Sequence, residues 1–387
     1  MLASRLIVWG AGLLALASFG RKTSVFSAMD PGHLTAPFRS AAANFALAPA
    51  ARWDSAWYLQ IAHSGYSTKP ASAFFPMYPL LIRVASLAFG SALLAGTMIS
   101  VAAMGAALYL LYLLARLDLS DEQARTTVML VAFFPTSFFL SAVYTEALFL
   151  MLSIGAIYAA RTSRWAWAGA LGGLVAATRS GGVLILLALV WLYLYGPRTD
   201  GKTEAGRRWL WLALVPAGLL AYMGYLALAH HAPLAPFQAE AVWGRQFAGP
   251  LGGLIKALEA APLDLRLGVT GKSVVVGAAD PISWTTHNLV DLTFVAFAAA
   301  GLALAWRRVP SAYLVYALAL LVQALSYPTA REPLVSFPRY VLAMFPLFMG
   351  WGAWLGERPR LSRRVISGSA LLLAAFSGLW AMWAWVA

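Results

Sequence analysis

The run TTVMLVAFFPTSFFLSAVYTEALFLMLSIGAIYAA, residues 126–160, decides the fold. It carries a single charge, Glu146, between Arg125 and Arg161. A membrane-spanning helix needs about 20 mainly apolar residues, and the shortest about 17. The run is long enough for two crossings, 127–143 and 146–160, with a hairpin tip at 144–145.

Working outward, similar apolar stretches recur at 4–20, 92–115, 165–178, 182–195, 209–229, 288–306, 311–326, 339–356 and 365–386. That makes eleven expected spans and an all-α polytopic membrane protein, 1–387 forming one integral-membrane domain. The first apolar stretch is read as a retained span rather than a cleaved signal peptide. The pair 165–178 and 182–195 is read as a hairpin broken at Arg179-Ser180-Gly181-Gly182. Composition agrees: the chain is 61% hydrophobic and 11% charged, against about 45–50% and about 25% for soluble domains. That balance excludes an ordinary soluble enzyme and a disordered chain. Zero cysteines exclude disulfides and thiolate metal sites. The five histidines show no metal-ligand spacing, so no metal site is expected.

Basic residues set the orientation. Loops 116–125, 161–164, 196–208, 306–310 and 357–364 hold 14 Lys+Arg in 40 residues. The opposite set, 21–90, 144–145, 179–181, 230–287 and 327–338, is over three times longer and holds 12. The first set is expected to be cytoplasmic, together with the N-terminus. Its 14 bases and six acids give +8 of the net +13, a charge suited to membrane lipids rather than nucleic acid. The two long loops, 21–90 and 230–287, then lie outside and are where a site can be built.

In the first of them, residues 52–62 read as a helix with Trp53, Trp57 and Ile61 on one face. Two tryptophans suit a helix lying in the membrane interface. Residues 73–83, with Pro76 and Pro79, read as a second interfacial element. Asp54 sits beside the tryptophan stripe; it is either a helix N-cap or a functional acid at the membrane boundary. Glu146 has a similar ambiguity, since Thr145 is placed to cap and a helix N-terminus favours an acid. Arg179 and Arg339 lie at outer helix ends. Each is either a snorkelling anchor or a two-pronged phosphate ligand. His287-Asn288 reads mainly as a capping pair, with a membrane O-acyltransferase site as its alternative. The 230–287 loop, with Trp243, Arg245 and Lys256, is where acceptor contacts are expected.

Several blocks resemble a known family. They are Trp53-Asp54, Ile61-Ala62, Gly65-Tyr66, Ala73-Phe74-Phe75-Pro76, Pro79-Leu80, Tyr144-Thr145-Glu146-Ala147-Leu148-Phe149 and Ala177-Thr178-Arg179-Ser180-Gly181-Gly182. In this order and spacing they resemble the PIG-V family of GPI mannosyltransferase II enzymes and their bacterial relatives. Arg339-Tyr340 extends the likeness near the last spans. Gly181 departs from the family's usual Asn. The resemblance implies a GT-C glycosyltransferase fold. It implies transfer of a sugar, usually mannose, from a polyprenyl-phosphate donor to a glycan or glycolipid acceptor outside the membrane. It places the family's acidic residue at Asp54, its glutamate at Glu146 and its arginine at Arg179, which makes Asp54 and Glu146 the expected catalytic residues. Arg179 and Arg339 are then the expected donor-phosphate ligands, with Trp53, Trp57, Tyr66 and His287 as substrate contacts. No cofactor is expected beyond the lipid-linked donor, and metal is expected to be inessential because arginines can stabilise the leaving phosphate. Eukaryotic relatives work with an accessory subunit; the chain itself points to none. High Ala, Leu and Arg content suits a bacterial cytoplasmic membrane. The competing readings are a GT-C enzyme using another lipid-linked sugar and a secondary transporter, which would need paired broken helices in two halves.

Overall fold

The computed structural model describes residues 1–197, 207–270, 284–330 and 332–386. Arg198, Asp200, Lys202 and Glu204 of the basic loop, and residues 271–283 of the second long loop, lie outside the described residues. The described residues are helical or irregular, with no strand among them. Five helices among them are long and apolar enough to cross a membrane: Leu2–Phe19, Ala92–Ala115, Arg207–His230, His287–Ala305 and Pro359–Ala381. Shorter apolar helices, including Trp165–Ala176, Ser180–Tyr195 and Ser311–Ser326, complete the bundle. The protein is an all-α multi-pass membrane protein.

The helix Glu146–Arg161 forms its centre. It packs on Ala92–Ala115 on one side and Trp165–Ala176 on another, and nearly all of its residues are buried. A helix apolar all round belongs in an interior. Leu2–Phe19 pairs with Pro359–Ala381, and Trp284–Ala305 with Phe345–Leu355.

The expected span 127–143 is not one helix. Its helix begins early, at Asp121, where Ser120 and Gln123 form a capping box, and it ends at Ala132. Pro135 lacks the N–H that continuation requires, and a short 3₁₀ turn, Ser137–Leu140, follows. Irregular backbone inside a membrane protein survives only where protein satisfies it. Buried Arg5 does so: its Nη1 donates to Ser137 O at 2.8 Å and Ser141 Oγ at 2.7 Å, and its Nη2 to Ser137 Oγ at 2.8 Å. The expected span 339–356 is likewise interrupted, at Met344, between helices Phe337–Ala343 and Phe345–Leu355. The break at Arg179 falls where the sequence placed it, with that residue extended between two helical segments.

In the first long loop the helix starts at Ser55, not Arg52. Trp53 precedes it with a left-handed φ of 51°, so Trp53 does not share a helix face with Trp57 and Ile61. Residues 73–83 contain the start of a regular helix, Met77–Phe89. Pro76 and Pro79 fall at its first turn, where a missing N–H costs nothing. Its Tyr78 and Ile82 face inward, and Leu80, Val84 and Leu87 are exposed, the amphipathic pattern of an interfacial helix. The second long loop contributes helices Ala235–Val242 and Gly252–Thr270.

Candidate active site

Asp54 stands at the N-cap position of helix Ser55–Ser64, yet its side chain caps nothing. Its Oδ2 instead accepts a hydrogen bond from Arg339 Nη1 at 2.6 Å. Thr145 also occupies an N-cap position without a side-chain cap bond. The next residue, Glu146, is 1% exposed. Its Oε1 accepts from Arg179 Nη1 at 2.8 Å and lies 3.3 Å from Arg339 Nε. Two acids and two arginines thus form one continuous chain, Asp54–Arg339–Glu146–Arg179.

These four residues come from four separate segments, the ends of one contact lying 285 residues apart. All four belong to the loops, or the adjoining helix ends, that the charge count put on one side. Glu146 forms the floor, while the Asp54 and Arg179 side chains, 20% and 18% exposed, are the accessible members. Neither arginine engages a carboxylate with both prongs, so guanidinium N–H groups are left for a ligand. Glu146 Oε2 is buried with no hydrogen-bond partner among the described residues.

Aromatic rings wall the network. The Tyr340 ring lies within 5.2 Å of the Arg179 guanidinium and within 5.6 Å of those of Arg339 and Arg245. Arg245 is held by the carbonyls of Tyr327 and Val335, at 3.3 and 3.2 Å. Trp57 stacks on Phe74 at 5.6 Å, and Trp243 meets both edge-on. Tyr144 Oη accepts the Asp54 backbone N–H at 3.0 Å. Burial pushes the Tyr144 phenol well above its ordinary pKa, so it stays neutral.

The remaining expected residues divide. Trp57 lies in an aromatic cluster with Phe74 and Trp243. Trp53 packs on Trp383 and Trp385, at 5.9 and 5.2 Å, and its unusual backbone fixes the turn that presents Asp54. Tyr66 spends its hydroxyl on Phe74 O at 2.7 Å and packs on Tyr222. His287 belongs to a different polar group, with Nδ1 3.6 Å from Glu332 Oε1. It is not a capping residue either, because its helix begins at Trp284, and Asn288 donates to Asp264 Oδ2 at 2.7 Å. Sequence reading missed Tyr144 and Tyr340 as site residues and gave Arg245 no specific place. Their only signal was adjacency: Tyr144 and Tyr340 flank residues of the motif blocks, and Arg245 lies in the second outer loop. Among the described residues no group of three or more acids and histidines is arranged to hold a metal ion.

Part of the chain matches known proteins. Residues 3–195 match the family described as Mannosyltransferase (PIG-V). The mouse GPI alpha-1,6-mannosyltransferase 2 is 32% identical over 150 residues, covering 35% of this chain and 30% of that protein. The rat protein of the same name is 32% identical over 148 residues, covering 34% and 29%. The chain therefore matches under a third of the length of these relatives. An oligosaccharyltransferase from Archaeoglobus fulgidus, solved with Zn and sulfate, has a TM-score of 0.39 at 13% identity over 79% of this chain and 44% of that one. The class defined by the fold is that of multi-pass membrane proteins. Within it, the chain belongs to the PIG-V mannosyltransferase family through residues 3–195. That matched stretch contains Asp54, Glu146 and Arg179; Arg339, which touches both acids, comes from the other half.

Proposed function

We propose that the protein transfers mannose from a polyprenyl-phosphate donor to an acceptor hydroxyl on the extracytoplasmic face of a bacterial cytoplasmic membrane, with inversion at the anomeric carbon. The observation that carries this reading is the convergence of an accessible carboxylate with two under-used guanidinium groups. Asp54 takes the proton of the acceptor hydroxyl as its oxygen bonds to the anomeric carbon. The bond from that carbon to the phosphate oxygen breaks, and the lipid phosphate leaves with the electron pair. Arg179 and Arg339 stabilise the charge that grows on it. Glu146 acts as a positioning residue, holding both arginines through one oxygen.

The resting contact between Arg339 and Asp54 has a consequence for timing. A phosphate drawn to Arg339 competes with Asp54 for the same guanidinium. Donor binding therefore frees the base when a sugar is in place to be transferred. The aromatic wall of Trp57, Phe74 and Trp243 supplies a face for the sugar or the prenyl chain.

The test is an assay of the purified full chain with mannose-labelled polyprenyl phosphate and, separately, labelled nucleotide mannose, against a panel of lipid and glycan acceptors. Label moves to an acceptor from the lipid donor alone. Transfer from the nucleotide sugar without the lipid would refute the donor assignment. Transfer of another sugar but not mannose would refute the sugar.

A further inference from the structure

The turn that presents Arg179 is held from two sides. On one side Ser180–Leu184 lies against the preceding helix, so closely that a Cβ on Gly182 would stand 2.1 Å from Val175 O. On the other side stands the helix Ser311–Ser326, and its Gln323 reaches the turn. Gln323 Nε2 donates to Ser180 Oγ at 3.4 Å. No other residue of that helix carries a carboxamide, and none carries a charge. A strongly polar side chain in an apolar helix is costly and is kept where it has a task.

The turn is shaped to receive this side chain. A Cβ on Gly181 would stand 2.1 Å from Gln323 Oε1. The three nearest atoms beyond its chain neighbours, Oε1, Cδ and Nε2, all belong to the Gln323 carboxamide. Gly181 is not among the glycines with a positive φ, so its backbone does not demand glycine. What excludes a side chain there is Gln323.

The carboxamide is also set in a rigid frame. Tyr316, about two turns earlier on the same helix, is buried and donates from Oη to Ser153 Oγ at 2.9 Å. Ser153 lies on the central helix Glu146–Arg161. At the start of that helix, Glu146 Oε1 accepts from Arg179 Nη1. Two helices bonded to each other therefore hold Arg179 at both ends. Glu146 holds its guanidinium, and Gln323 holds the turn that follows its backbone. Arg179 itself is extended between helical segments, with φ −154° and ψ 156°, and irregular backbone in a membrane protein depends on such support.

We propose that Gln323 is a positioning residue for Arg179, a role that rests on Arg179 being a donor-phosphate ligand. Through Ser180 its carboxamide fixes the turn at 180–182, and with it the angle at which the guanidinium meets the phosphate. A loosened turn leaves the charge in place but loses the alignment on which charge-assisted bonds depend. The loss falls on donor affinity.

The experiment measures kcat and the donor KM with mannose-labelled polyprenyl phosphate. Separately, it titrates each purified full chain with polyprenyl phosphate and reads the thermal midpoint, which needs no turnover. Gln323→Ala raises the donor KM, and the polyprenyl phosphate needed for a given rise in midpoint, about three- to tenfold, as loss of one neutral hydrogen bond predicts. The kcat, acceptor KM and ligand-free midpoint stay as in the wild type. Gln323→Met keeps the length and bulk but not the amide, and gives the same rise. Gly181→Ala displaces the carboxamide with its Cβ and gives that rise too. Both substitutions act through one contact, so Gly181→Ala/Gln323→Ala is no worse than either alone.

An unchanged donor KM and titration in Gln323→Met overturn the role, whatever Gln323→Ala does, because bulk alone would then hold the turn. Fully additive losses in the double variant also overturn it, because Gly181 would then matter for another reason. Arg179→Ala separates this role from the reading beneath it. If Arg179→Ala binds polyprenyl phosphate as the wild type does, Arg179 is not a phosphate ligand, and both fall. If it loses polyprenyl phosphate while the Gln323 variants keep it, only the role of Gln323 falls.

Discussion

The central helix carries an acid–arginine cluster at each end, and the two are built differently. At its C-terminus, Arg161 grips Asp118 with both prongs, Nη1 to Oδ2 at 2.8 Å and Nη2 to Oδ1 at 2.9 Å, and also bonds the Tyr313 hydroxyl. The two charged side chains are 5% and 11% exposed. At its N-terminus, one oxygen of Glu146 serves two arginines, and a second acid, Asp54, stands at the open side. Both charges suit the helix dipole, the acid at the start and the base at the end. The difference is saturation. One guanidinium matched to one carboxylate through both Nη groups ties loops together. Two guanidiniums, each using a single prong per acid, keep donors for an incoming anion.

The comparison predicts its largest effect at Asp54. Asp54→Asn removes a general base and is expected to cut turnover by about 10²–10⁴-fold without lowering the thermal midpoint. Asp118→Asn is the matched change at the other end. It is expected to lower the midpoint and spare turnover per folded molecule. Equal losses of turnover in the two variants would erase the distinction between the ends.

Arg161→Ala tests the saturated end more severely. Leaving Asp118 buried without its partner is expected to cost about 3–5 kcal/mol of stability, read by denaturant or thermal unfolding in detergent. Retained stability would mean that the fork-to-fork pair contributes little. Arg179→Ala comes next in size. It is expected to raise the donor KM by about 10–100-fold, the loss of one charge-assisted contact, with a smaller fall in kcat. Arg179→Lys keeps the charge but not the flat fork, and recovers part of the loss. A donor KM unchanged in Arg179→Ala would leave Arg339 as the sole phosphate ligand.

How much of this was legible in the sequence differs between the same two ends. The candidate residues were visible because a charge among apolar residues is costly and conspicuous, as with Glu146 in its 35-residue run. Lysine and arginine density put the loops bearing Asp54, Glu146, Arg179 and Arg339 in one set, and in the structure those four side chains meet. What joined Asp54 to Arg339 across 285 residues was tertiary packing, which no local spacing encodes. The broken span at 133–145 was hidden for the same reason. An apolar run containing one proline still reads as a span, because Arg5, whose side chain satisfies the break, lies 132 residues away. Trp53 misled in another way: its i, i+4 spacing to Trp57 was real, but the helix starts after it. The neighbours of His287 were not legible either, because adjacency to Asn288 does not say that Glu332 packs against it.

The smallest predicted effect is at Tyr144, and it decides what the accessible end depends on. The phenol accepts the Asp54 backbone N–H and is held neutral by burial, so it positions the loop rather than taking a proton. Tyr144→Phe removes one neutral hydrogen bond, about 0.5–1.5 kcal/mol, and is expected to lower kcat by about two- to tenfold at an unchanged donor KM. A fall as deep as that of Asp54→Asn would move the proton acceptor from the carboxylate to the hydroxyl, and saturation of the arginines would no longer explain the site. An unchanged kcat would show that the strained turn at Trp53, packed on Trp383, is enough to aim Asp54. Trp383→Ala in the Tyr144→Phe background then separates these two supports, because only a shared load makes their losses exceed the sum of each alone.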